Sequence, residues 1–108
     1  MPDPIAITEK DNNRSIKVPS QALLALALDE NPTTGFNWQL EPVDQSVLSP
    51  LGDHYERSGR SAVGGGGIRR FQFKAVAVGK ASLRLRYRRS WEPPGKSVRE
   101  FAVDIVVE

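Results

Sequence analysis

Apolar and polar residues alternate along most of this chain. Leu24, Leu26 and Leu28 are separated by Ala residues, a period of two that places all three on one face of a strand. Leu and Ala favour helix by intrinsic propensity, but the alternation selects a strand over Ala22–Leu28. Asp29 and Glu30 end it. Phe36, Trp38 and Leu40 repeat the pattern against Asn37 and Gln39, which predicts a half-buried strand with Trp38 as a core anchor. Farther on, Phe71, Phe73, Ala75 and Ala77 alternate with Arg70, Gln72, Lys74 and Val76. After a turn at Gly79-Lys80, Ala81, Leu83, Leu85 and Tyr87 alternate with Ser82, Arg84, Arg86 and Arg88. Phe101, Val103, Ile105 and Val107 close the series.

Two stretches are shorter or less regular. Ile5 and Ile7 predict a short strand and Ile16 and Val18 a second, joined by a turn at Asp11-Asn12-Asn13 and stopped by Pro19. Pro42, Pro50 and Gly52 punctuate the segment from Glu41 to Gly59. There, Val47, Leu48 and Leu51 predict one short strand and Asp53–Arg57 another. About seven strands without a helix predict an all-β antiparallel sandwich rather than a βαβ fold.

At 108 residues the chain reads as a single domain over 1–108, large enough for one hydrophobic core. It has no Cys, so neither a disulfide nor a thiolate metal site can form. His54 is the one His; without a Cys or a second His it is neither a ligand set nor a base, and it reads as a surface or edge residue. No apolar run is long enough to cross a membrane. Met1-Pro2-Asp3-Pro4 has no basic n-region and no apolar h-region, so no signal peptide is expected.

Charge is unevenly spread. Residues 1–54 carry 3 basic and 8 acidic side chains, and residues 55–108 carry 12 and 5. The basic residues alternate with core positions instead of forming a block, which fits the solvated face of a sheet. A nucleic-acid surface built on Arg84, Arg86 and Arg88 is the weaker reading.

Three connections stand out. In Asn31-Pro32-Thr33-Thr34-Gly35, Pro32 fixes its own φ and holds Asn31 extended, and Gly35 permits the positive φ that turns the chain into the next strand. Two Thr side chains are left at the tip. The second is Gly64-Gly65-Gly66-Gly67, which offers bare backbone for close approach. It lacks the Lys-Ser/Thr and the following helix of a phosphate loop. The third is Arg89-Ser90-Trp91, followed by Glu92-Pro93-Pro94-Gly95; Trp91 has no core-like alternation around it. With Asp53–Arg57 taken as the strand before the Gly run, antiparallel succession places all three connections at one end, as in immunoglobulin-like sandwiches. One strand more or fewer between residues 41 and 59 would send the Gly and Trp91 connections to the other end.

The carboxylates are scattered, and no nucleophile–base set is visible. The residues therefore predict a binding module, with no catalytic residue, metal or cofactor. An adhesion or scaffolding domain remains open at this level.

The three connections together resemble those of chagasin-type inhibitors of papain-like cysteine peptidases. That family is marked by Asn-Pro-Thr-Thr-Gly, Gly-x-Gly-Gly and Arg-Pro-Trp in three loops of an immunoglobulin-like sandwich. The similarity runs from about Ile5 to Val107 and includes Lys74–Gly79 and Tyr87–Arg89. It implies a reversible, non-covalent wedge, with a papain-like peptidase as partner and neither nucleic acid nor membrane. Thr33 and Thr34 would reach the target's Cys-His pair, Gly64–Gly67 would bond through backbone on the unprimed side, and Arg89 and Trp91 would pack on the primed side. Ser90 stands where the family usually has Pro, which leaves that loop less preorganised. A monomer is expected. An exported or periplasmic location is implied by the bacterial members of the family.

Overall fold

The computed structural model describes residues 4–31, 35–57, 67–89 and 99–108. Among these residues, eight strands form two four-stranded sheets. They are β1 (Ile5–Ile7), β2 (Arg14–Val18), β3 (Leu23–Glu30), β4 (Phe36–Leu40), β5 (Leu48–Arg57), β6 (Gly67–Ala75), β7 (Gly79–Arg89) and β8 (Arg99–Val107). One sheet has the order β1-β3-β6-β5 and the other β2-β8-β7-β4. The architecture is the all-β, immunoglobulin-like sandwich expected from the alternation.

The inner faces are the predicted ones. Leu24, Leu26 and Leu28 of β3 and Phe71, Phe73 and Ala75 of β6 are buried against Leu83, Leu85, Val103 and Ile105 of the facing sheet. Trp38 is buried at 6% exposure, as its spacing requires. The period of two thus decides which residues leave water, and that burial drives the two sheets together.

The N-terminal segment divides between the sheets. β1 pairs parallel with β3, and β2 pairs parallel with β8, so one edge of each sheet departs from the antiparallel scheme. The switch is made by a 3₁₀ turn at Glu9–Asp11, whose ends are satisfied reciprocally. Thr8 Oγ1 accepts from the Lys10 amide, and the Thr8 amide donates to Asp11 at 3.0 Å.

Three sequence expectations are corrected. Asp29 and Glu30 do not end β3; the strand continues through Glu30. The two short strands expected between residues 47 and 57 are one, β5, with a register shift between Pro50 and Gly52. Gly52 has φ +140°, and β5 lies at a sheet edge where a bulge and a proline are tolerated. The turn between β6 and β7 lies at residues 76–78, and Gly79 opens β7 with φ +152°. A Cβ on Gly79 would lie 2.9 Å from Val47 Cγ2, so Gly79 serves both backbone and packing.

Candidate functional site

With β5 a single strand, the connections β3–β4, β5–β6 and β7–β8 begin and end at the same end of the sandwich. In one sheet, Glu30 and Arg57 both pair with Gly67. In the other, Phe36 pairs with Arg89 and Tyr87 with Arg99. Of the residues singled out in the sequence, Asn31, Gly35, Gly67 and Arg89 fall within these stems. Pro32, Thr33, Thr34, Gly64, Gly65, Gly66, Ser90 and Trp91 lie outside the described residues.

Direct bonds tie the stems of the two sheets together. The Asn31 amide donates to the Tyr87 hydroxyl at 2.9 Å. Trp38 Nε1 donates to the Asp29 carbonyl at 2.7 Å, and the Trp38 amide donates to Glu30 Oε2 at 2.9 Å. Gly35, at φ +83°, makes the left-handed turn expected of it and delivers the chain into β4.

Gly67 has a steric reason to be glycine. A Cβ there would lie 2.2 Å from the Glu56 carbonyl oxygen and 2.6 Å from the Tyr55 hydroxyl. The last residue of the Gly run is therefore held by its neighbours in β5, independently of any partner.

Aromatic rings pack together at the stems of the first and third connections. Tyr87 stacks on Phe36 with centroids 5.4 Å apart and meets Trp38 at 4.9 Å. The Arg89 guanidinium lies 4.5 Å from the Phe36 centroid. Arg99, where the third connection rejoins the sheet, lies 5.3 Å from the Trp38 ring and pairs with Glu9. Such cation–π contacts hold long side chains over the rings at the stems.

Glu30 was not legible as a functional residue in the sequence, yet it lies at the centre of this end. Among the described residues it is the buried charged side chain, at 2% exposure. Oε1 receives Arg69 Nε at 3.0 Å and Nη2 at 2.7 Å, while Arg69 Nη1 reaches Asp53 at 3.0 Å. Bonding to the Glu30 carboxylate raises the Arg69 pKa further above its ordinary value, against the opposing effect of burial. The available signal was the alternation itself: Glu30 continues 24, 26, 28, and Arg69 precedes Phe71 and Phe73 on the same face.

The Arg row of β7 is not a bare cationic strip. Arg86 Nε pairs with Glu41 at 2.8 Å, and Arg88 Nη1 donates to Gln39 at 3.0 Å. His54 is half exposed on the edge strand β5, 3.1 Å from Glu56. This matches its reading as an edge residue. Among the described residues, no cluster of His, Cys, Asp or Glu could hold a metal ion, and no helix is long and apolar enough to span a membrane.

The described residues form an immunoglobulin-like sandwich in which the stems of three connections meet at one end. Residues 17–105 match the chagasin family of peptidase inhibitors, family I42, and the chain belongs to that family. It is a family of peptidase inhibitors and not of enzymes. Amoebiasin-2 of Entamoeba histolytica is 30% identical over 102 residues, covering 94% of this chain and 83% of the relative. Chagasin of Trypanosoma cruzi is 26% identical over 102 residues, covering 90% and 92%. The crystal structure of the cysteine protease inhibitor EhICP2 from Entamoeba histolytica superposes with a TM-score of 0.86 at 26% identity, covering 96% of this chain and 95% of that one.

Proposed function

We propose that this chain is a reversible, non-covalent inhibitor of papain-like, cathepsin-type cysteine peptidases that occludes their cleft with three loops. The observation that carries the reading is the gathering of the three loop stems at one end, joined across the sheets by the bonds of Asn31, Glu30 and Trp38. Thr33 and Thr34 are assigned to the catalytic Cys-His pair of the target; Pro32 fixes its own φ, and a loop that approaches side-on need not present a scissile carbonyl to the thiolate. Asn31 and Gly35 shape that loop. Gly64–Gly67 are assigned to backbone bonding along the unprimed side, and Trp91 with Arg89 and Ser90 to the primed side. Three loops on a stiff frame lose little entropy on docking, which favours tight binding. An interface of about 1,600 Å² in total is expected.

Titration of the purified protein against papain and a cathepsin-L-like enzyme, with trypsin as control, tests the proposal through hydrolysis of a fluorogenic peptide. Nanomolar or tighter inhibition of the cysteine enzymes alone is expected. Absence of inhibition at micromolar concentration overturns it and leaves an adhesion or scaffolding role for the same end of the sandwich.

A further inference from the structure

We propose that Glu30 and Arg69 are positioning residues whose partly buried ion pair fixes the stem of the first loop against that of the second for target binding. The inference rests on the reading of these loops as the peptidase contact, and its test separates the two.

One carboxylate holds three chain segments. Glu30 immediately precedes Asn31, at the start of the first loop. Its Oε2 takes the amide of Trp38, in the strand that leaves the same loop. Its Oε1 takes two donors from Arg69, two residues beyond Gly67, where the second loop rejoins the sheet. Asp53 and the Tyr55 ring, 5.6 Å from the guanidinium, hold Arg69 from the β5 side. Both stems of the first loop and the rejoining stem of the second are thus bonded to a single side chain.

Stability alone does not account for this arrangement. Glu30 and Arg69 occupy inward positions on strands whose other inward residues are Leu24, Leu26, Leu28, Phe71 and Phe73. A well-packed apolar pair at such positions is generally as stable as a buried ion pair, or more so. Apolar contacts are non-directional, whereas two bonds from one guanidinium and one from an amide fix distance and angle. The charged pair therefore supplies geometry at the point where two binding loops leave the frame, and preorganisation of that kind lowers the cost of docking.

The test compares wild type, Glu30→Gln and the double variant Glu30→Met/Arg69→Leu. Three readouts are used: thermal melting, dissociation from immobilised papain well below the melting temperature, and amide hydrogen exchange at residues 35–36 and 67–69. The double variant, which removes the acceptor of the buried Trp38 amide along with the ion pair, is expected to stay folded with a melting temperature at or modestly below wild type, yet to dissociate at least about fivefold faster. Exchange at the two stems is expected to accelerate while Leu83 and Ile105 stay protected. Glu30→Gln keeps an acceptor for Trp38 and is expected to fall between. Wild-type dissociation and exchange in a folded double variant overturn the proposal. If wild type itself does not bind papain, the peptidase reading fails, and stem exchange alone decides the positioning role.

Discussion

The Tyr87 hydroxyl accepts the Asn31 amide at 2.9 Å, joining the C-terminal end of β7 to the residue that precedes Pro32-Thr33-Thr34. Tyr87 lies in one sheet, and Asn31 follows directly on β3 of the other, 56 positions away. Tyr87 is also an inward core residue, stacked on Phe36 and tilted against Trp38. Its ring closes the core and its hydroxyl sets where the loop begins. Tyr87→Phe keeps the ring and removes the bond. A loss of about 1 kcal/mol in unfolding free energy is expected, together with weaker inhibition by the fully folded variant. Denaturant melts and inhibition constants measured side by side check both, and unchanged inhibition would confine Tyr87 to the core.

Gly67→Ala places a methyl group against the Glu56 carbonyl, which cannot swing away as a side-chain tip can. The β5–β6 pairing must open locally, at a cost of about 1–3 kcal/mol. Thermal melting gives the loss directly. A wild-type melting temperature would show that the stem absorbs a Cβ.

In the proposed contact, Trp91 is the large aromatic anchor of the third loop. Trp91→Ala is expected to weaken inhibition by about 2 kcal/mol or more, the range of interface hot spots. An unchanged inhibition constant removes Trp91 from the site. Ser90→Pro restores the residue usual in the family and is expected to tighten inhibition by stiffening the loop before binding. A fall in affinity would instead show that Ser90 makes a contact of its own.

Acid sensitivity follows from three exposed carboxylates held below their ordinary pKa. Ser46 bonds to Asp44, Ser82 to Asp104, and Arg70 followed by His54 to Glu56. Each is ionised more readily in the folded chain than in the unfolded one. Its contribution is complete above the unfolded value and is lost as pH falls through the lowered folded value. The melting temperature is therefore expected to begin falling below the ordinary values, 4.5 for Glu56 and 3.8 for Asp44 and Asp104. Glu56→Gln is expected to melt below wild type at neutral pH and to converge with it in acid. A constant difference between them across the range would remove Glu56 from the acid response.

The alternation of Leu24, Leu26 and Leu28, of Phe71 and Phe73, and of Val103, Ile105 and Val107 determined the strands and their buried faces by itself. Burial on a pleated strand depends on parity along the chain, and parity is written in the sequence. Gly35 was equally legible, because few other residues take its positive φ. The three loop motifs, read together, were enough to point to the family. Other features depended on neighbours distant in the chain. Whether residues 48–57 form one strand or two was decided by the register of β5 on β6, where a bulge absorbs Pro50 and Gly52. The need for glycine at position 67 came from the Glu56 carbonyl and the Tyr55 ring, and the Arg86 and Arg88 partners came from β4 and the segment after it. The sequence predicts that Asp29 and Glu30 end β3, and a carboxylate is costly to bury unpaired. Only the fold brings Arg69 and the Trp38 amide to Glu30, from 39 and 8 residues away, and those bonds make an inward charge tolerable at the base of the loops.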